Sequence, residues 1–289
     1  MRLSATLINA GLLTKMAMCL EKITKRWIMQ FGPEHIHLLA HKEDITTGAQ
    51  MFGQIKADRL FEKYVVECRD DSIYLEFSGE HLVRALKSGQ QATEVSMKLL
   101  KPQGEDKILR VIITNQGRSG KPIKLTHDIP VRQVPESEAA DLHNPTMIDY
   151  QVHILLPKLP DIRSITERMR AIAPHITLSA NMAGTLILEV QADSVHVQTF
   201  FHNLEVPAID SSQVDEEERP ALFRDTQYKA AVRLDIRDFL KFLQCSIFSP
   251  KHVICCIAEN NALMMYVYLG DNSEADDGAF IYYLPHRFR

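Results

Sequence analysis

"SIYLEFSGEHLVRALKSGQQATEVSMKLL" spans residues 72–100, and "YKAAVRLDIRDFLKFLQCSIFSPKHVICCIA" spans 228–258. Each reads as a strand, a short helix and a strand. Leu82, Val83 and Leu86 in the first helix stand where Phe239, Leu240 and Leu243 stand in the second, an offset of 157 residues. Self-similarity at one fixed distance means that the chain is built twice on one plan.

The repeat extends outward from these stretches. "RLSATLI" followed by "GLLTKMAMCLEKITKRW" (11–27) is a strand and a helix, and so is "YQVHILLP" followed by "KLPDIRSITERMRAI" (158–172). Alternating strands come next: "WIMQF", "HIHLLAH" and "QMFGQIKA" in one half, "HITLSAN", "GTLILEV" and "VHVQTFF" in the other. The halves close on "IKLTHDIP" and "AFIYYLP". Each half therefore reads β-α-β-β-β-β-α-β-β-β, an α+β fold in two tandem domains. The acidic, proline-broken stretch 135–149, "PESEAADLHNPTMID", is the expected linker between domains at 1–134 and 150–289. A second acidic stretch, "DSSQVDEEERP" (210–220), reads as a solvated loop inside the second half.

A chain of 289 residues with 45% hydrophobic and 24% charged residues has the composition of a globular protein. Its net charge of −4 carries no global nucleic-acid signature, so any basic surface must be local. Five cysteines without CxxC spacing read as reduced, mostly buried thiols. Asn9 and Lys15 break the apolar N-terminus, so it makes a poor signal peptide. No stretch approaches the ~20 apolar residues of a membrane helix, and no membrane partner is expected.

Charge is segregated. Leu13, Met16, Leu20, Ile23 and Trp27 form one stripe on the first helix, opposite Lys15, Lys22 and Arg26. On the third helix Ile162, Ile165, Met169 and Ile172 form the stripe, with Arg163 and Arg170 on another face. The short helices carry Arg84 with Lys87, and Arg237 with Lys241. Segments 11–27, 78–90, 158–172 and 235–244 carry +3, +1, +2 and 0, which leaves −10 for the rest. Lys/Arg-rich faces are often merely solvated. With a twofold repeat the helices instead share a side, and the charges make a surface suited to phosphate contact without sequence preference.

Catalytic signals are weak. His127 and Asp128 are adjacent, but on a strand they face opposite sides and cannot act as a base and its orienter. His35 and His37 share one strand face as a possible metal pair, without an evident third ligand. "GRSGK" (117–121) lacks the phosphate-loop spacing and reads as a hairpin turn. No cofactor is expected. A His- or metal-dependent hydrolase using these histidines is the rival of another class.

The ordered set "IYLEFSGEHLVRALKSGQ", "LTHDIPVRQVP", "LPKLPDIRSITERMRAI", "VRLDIRDFLKFL" and "FIYYLP" resembles the DNA sliding clamps of the PCNA type, and within them the Hus-one subunit family of the checkpoint clamp. The resemblance implies a ring of three related subunits around duplex DNA, with sheets outside and helices lining the hole. It implies a non-enzymatic nuclear scaffold, loaded by an ATP-dependent clamp loader, that recruits checkpoint and repair proteins. A homotrimeric replication clamp is the alternative within the family. By position, Lys15, Lys22, Lys25, Arg26, Arg84, Lys87, Arg163, Arg170, Arg237 and Lys241 would face DNA. Strands at 121–128 and 195–202 would be the sheet edges, with Lys124, Thr126, His127, His196, Gln198 and Phe200 at subunit interfaces. Leu142, Met147 and Ile148 in the linker would help dock partner peptides.

Overall fold

In a computed structural model, residues 1–40, 48–68, 72–101, 106–117, 120–139, 149–207, 225–250, 252–269 and 278–288 are described. The chain divides into two units: Met1–Thr46, Met51–Asn144 and Glu274–Ala279 form the first, and Thr47–Gln50, Pro145–Ser273 and Phe280–Arg289 the second. No helix among the described residues is long and apolar enough to cross a membrane.

The first unit runs β1 (Arg2–Leu7), α1 (Ala10–Ile23), β2 (Arg26–Phe31), β3 (His35–Ala40), β4 (Gln50–Lys56), a single turn α2 (Ala57–Leu60), β5 (Phe61–Glu67), β6 (Ile73–Ser78), α3 (Gly79–Ser88), β7 (Glu94–Leu100), β8 (Ile108–Gln116), β9 (Pro122–Pro130), β10 (Arg132–Gln133) and a turn α4 (Glu136–Ala139). One sheet has the order β5-β1-β7-β8-β9, and β10-β6-β2-β3-β4 are neighbours in another. The strand β5 is absent from the sequence reading because "FEKYVVE" shows no alternation: its burial runs from buried Phe61 through exposed and half-buried residues. The turn α2 lets the chain leave β3, which pairs with β4, and join β1, which pairs with β5.

Helix α1 starts where the Asn9 side chain accepts the Leu12 N–H at 2.9 Å. Its buried face is Leu13, Met16, Ala17, Cys19 and Leu20. It stops at Ile23, earlier than the stripe predicts. Thr24, β-branched, turns extended at φ −140°, ψ 148° and donates its hydroxyl to Arg26 O at 2.7 Å. Trp27 continues the helical spacing by coincidence; it is a β2 residue, fully buried, with Phe77 edge-on at 4.6 Å. Gly79 opens α3 against that indole: a Cβ there would lie 2.6 Å from Trp27 Nε1.

The second unit runs β11 (Val152–Leu155), α5 (Leu159–Met169), β12 (His175–Asn181), β13 (Thr185–Ala192), β14 (Val195–Phe201), β15 (Lys229–Asp235), α6 (Ile236–Phe242), a 3-10 turn (Leu243–Phe248), β16 (Val253–Ala258), β17 (Ala262–Tyr268) and β18 (Ala279–Pro285). This is the predicted element order. One sheet is β14-β13-β12-β15, and β18-β17-β16-β11 are neighbours in the other. Where the first unit has β5, the second has an irregular stretch beside β11: Leu155 N–H donates to Glu205 O at 2.9 Å. The acidic loop that follows, 208–224, lies outside the described residues. Helix α5 ends at Met169, so Ile172 falls beyond it and is exposed, not part of the stripe. Around Phe242 the core stacks Tyr282 edge-on at 4.9 Å and Phe239 at 6.0 Å.

The far edge of β15 is covered by the chain's last residues. Arg287 N–H donates to Arg233 O at 2.8 Å, and Asn260 N–H to Ala231 O at 3.1 Å. The Arg233 N–H goes to His286 Nδ1 at 3.2 Å. That acceptor exists only on a neutral imidazole. All five cysteines are free, and all but Cys68 are buried. Burial pushes the Cys19 and Cys255 thiols up to about 12.

Two outcomes are expected. Gly79→Val drives a side chain into the sole tryptophan, costing ~1–3 kcal/mol for overpacking; urea unfolding followed by Trp27 emission, red-shifted in the folded variant, checks it. The second concerns pH. Burial holds His37, His153, His175 and His286 below their ordinary 6.5, and the Arg233 charge adds to this at His286. The unfolded chain therefore takes up protons first. Stability is full above pH 6.5, falls as pH drops below it, and levels off once the folded imidazoles titrate. His286→Asn keeps an acceptor and removes a proton site, so urea midpoints between pH 7.5 and 5.5 should fall less in it.

Candidate functional site

In the first unit α1 and α3 pack on each other. Leu82, Val83, Ala85 and Leu86 are the buried side of α3, which turns Arg84 and Lys87 outward, as α1 does Lys15 and Lys22. Lys25 and Arg26 lie past the helix end. Arg26, 64% exposed, reaches Glu76 Oε1 at 3.2 Å, and that carboxylate is only 3% exposed. Arg132 takes the other oxygen of Glu76 at 2.5 Å and clasps Glu138 through Nη1 at 3.0 Å and Nη2 at 2.8 Å. Arg26 thus belongs to a chain of alternating charge that fastens β10 to β6, with Arg132 opposite Glu76 in register. Buried Val131 and Val134 fix the same segment.

In the second unit α5 presents Arg163 and, just past its end, Arg170; α6 presents Arg237 and Lys241. The cations differ in what surrounds them. Arg84 is paired with Glu80 at 2.5 Å, Arg163 with Glu167 at 2.9 Å, and Lys241 with Asp238 at 3.0 Å. Asp238 is 5% exposed and also holds Arg287 at 3.6 Å, so it serves the fold. Among the described residues, Lys15, Lys22, Lys87, Arg170 and Arg237 have no carboxylate partner. Arg170 and Arg237 line one recess of about 450 Å³, together with Ile172 and Pro174.

Strands β9 and β14 each end a sheet. On β9, Lys124, Thr126 and Asp128 face one side; Ile123, Leu125, His127 and Ile129 face the other. Partners of the latter set on β8 are Asn115, Ile113, Val111 and Leu109, of which the last three are fully buried. The apolar face stays covered at Ile129, then runs out into solvent at Leu125 (45% exposed) and Ile123 (60%). Neither was singled out from the sequence, though the alternation in "IKLTHDI" carries them. On β14, His196 meets Glu189 at 3.1 Å and Gln198 donates to the same carboxylate at 2.8 Å. Phe200 and Val195 are exposed there at 50% and 44%. Leu142, Met147 and Ile148 lie outside the described residues.

Among the described residues the hydrolase geometry does not assemble. Arg110 holds Asp128 bidentately, 2.7 Å on each oxygen, keeping its carboxyl below the usual range on the face away from His127. His37 donates Nδ1–H to Gln30 Oε1 at 2.8 Å and stacks on His35 at 6.2 Å. Among the described residues no three His, Cys, Asp or Glu side chains gather as a metal site.

Two sheets and two exposed helices, given twice along one chain, are the architecture of a PCNA-type sliding clamp. The structure of PCNA from Thermococcus kodakaraensis superposes with a TM-score of 0.70 at 14% identity, over 99% of this chain and 100% of that one. The sequence narrows this further. Residues 1–287 match the family described as Hus1-like protein, and the chain belongs to that family. It is 30% identical to the checkpoint protein hus1 of Schizosaccharomyces pombe over 286 residues, covering 98% of each chain. With human HUS1 it shares 27% over 266 residues, 90% of this chain and 92% of that one.

Lys15→Glu, in the middle of α1, is expected to shift stability by less than ~0.5 kcal/mol, whereas Lys87→Glu and Arg170→Glu, at helix C-termini where the dipole favours a cation, should cost up to ~1 kcal/mol each. Glu76→Ala removes the buried carboxylate that joins Arg26 and Arg132, while Arg132 keeps Glu138, and should cost ~1 kcal/mol, read from the urea midpoint.

Proposed function

We propose that this chain is a non-enzymatic subunit of a heterotrimeric DNA clamp in checkpoint signalling and repair, working in the nucleus with two related subunits. Domains 1–134 and 150–289 act as its two clamp domains, joined by 135–149. An ATP-dependent loader opens the ring onto DNA, and checkpoint and repair proteins dock on it, partly through Leu142, Met147 and Ile148.

The observation that carries the reading is that two long sheet ends, β9 and β14, bring apolar side chains to the surface. An exposed edge strand with apolar side chains invites another strand. β9 offers Ile123 and Leu125 beside Lys124, Thr126 and His127, and β14 offers Val195 and Phe200 beside His196 and Gln198. Each unit thus brings one edge to a neighbouring subunit. The helix cations support the second half of the reading: each unit turns basic residues outward on its helices while the chain as a whole is acidic. Such a surface holds phosphates without reading bases. Closure of the ring keeps the clamp on DNA, and the cations let it slide.

Measuring oligomeric mass with and without the partner subunits tests assembly. A heterotrimer is expected; a stable homotrimer that ignores the partners would overturn the reading in favour of a replication-type clamp. Leu125→Lys should abolish assembly with one partner while leaving the isolated chain folded. With the ring formed, Lys15→Glu combined with Lys87→Glu and Arg170→Glu is expected to shorten retention on linear duplex with free ends at least tenfold. Unchanged retention would remove the DNA-facing role of the helices.

A further inference from the structure

We infer that Glu80 and Glu167 set how weakly the ring holds DNA, each acting as a fixed counter-charge on one helix arginine. This rests on the reading that the helices face DNA, and goes beyond it by assigning opposite effects to neighbouring residues of one surface.

The cations on the helices are of two kinds. Arg84 and Arg163 each have a carboxylate one helical turn away, at 2.5 and 2.9 Å. Glu80 and Glu167 are 63% and 51% exposed, so both lie in the solvent layer that a duplex would occupy. When a phosphate approaches such an arginine, either the ion pair breaks or the carboxylate is brought against the phosphate. Either way the contact returns less than one phosphate's share of counterion release, which is about 0.9 per contact in the slope of log K against log salt. Lys15, Lys22, Lys87, Arg170 and Arg237 have no such counter-charge among the described residues, and act at full strength. In the second unit the full-strength cations converge, since Arg170 and Arg237 share one recess.

The carboxylates are not needed for folding. Exposed helix pairs one turn apart contribute little to stability. Glu80 also stands in the first turn of α3, where the helix dipole favours an acid only modestly; Glu167 has no carboxylate-specific contact among the described residues besides Arg163. Asp238 is the contrast: buried, and joined to both Lys241 and Arg287, it belongs to the core of its unit. A clamp closed around its track has no use for tight binding, and two carboxylates inside the basic face lower the grip without removing the cations that centre the duplex.

The test uses the ring assembled with its partner subunits on linear duplex with free ends, with retention and binding followed from 50 to 200 mM salt. Glu80→Gln and Glu167→Gln are each expected to lengthen retention about 3- to 10-fold and to steepen the salt slope by up to about 1. Glu62→Gln, which removes an exposed acid from a strand, β5, should leave both unchanged. If Lys87→Gln shortens retention while the two glutamate variants behave as wild type, the inference fails and the DNA-facing reading stands. If Glu62→Gln matches the helix variants, net charge explains the gain and the inference also fails. If none of the four changes anything, the DNA-facing reading falls with it. Unaltered ring mass in every variant confines the readout to DNA.

Discussion

A β-sheet has to end somewhere, and its last strand carries backbone donors and acceptors on one side with nothing to meet them. Much of this molecule can be derived from how its sheet ends are treated. The end at β15 is closed internally, by the Asn260 turn and by His286 and Arg287. The exposed side of β6 is covered by two residues of β10, pinned by the Arg132–Glu76 pair. At β9 and β14 no such cover is present among the described residues, and there the apolar side chains come to the surface. Closed and open ends thus coexist in one fold, and β9 and β14 are long: Pro122–Pro130 and Val195–Phe201. Strands of that length, left apolar, are tolerated when a partner strand covers them, which makes assembly a matter of solubility as well as function.

The helices are governed by a second constraint, the division of each surface into a packed and a wet face. Leu82, Val83, Ala85 and Leu86 leave α3 only one side for charge. Charge is finely placed on that side: Glu80 and Arg84 are neighbours through the helical turn, whereas Lys87 stands apart. A residue count gives α3 one net positive charge, and the geometry divides it into a neutralised pair and a free lysine.

How much of this is legible without coordinates depends on the range of the determining interaction. Helix faces and edge-strand positions follow from periodicity and from the internal repeat, both visible in one chain. The early stop of α1 does not, because Trp27 fits the helical stripe and the deciding contacts, with Gly79 and Phe77, come from residues some fifty positions away. Strand β5 hides for a related reason: it pairs with the distant β1, from Arg2–Glu67 to Leu7–Phe61, and buries only Phe61. Arg26 looks like one more helix cation until the burial of Glu76 is known. The pairings of Arg84 and Arg163, in contrast, are written in the spacing of Glu80 and Glu167 and were open to a reader who weighed acids together with bases.

The thiols carry a practical consequence. Cys19 sits in the packed face of α1, while Cys245, Cys255 and Cys256 sit in the core of the second unit. Each is buried, and burial raises the thiol pKa of Cys19, Cys255 and Cys256, so alkylation has to wait for local opening. The chain therefore contains a separate chemical clock for each unit. Pulse labelling followed by peptide mapping would time the opening of one unit against the other in the intact molecule, with no engineered probe. None of these four cysteines lies on β9 or β14, and Cys19, though on α1, is on its packed face and not beside the exposed Lys15 and Lys22.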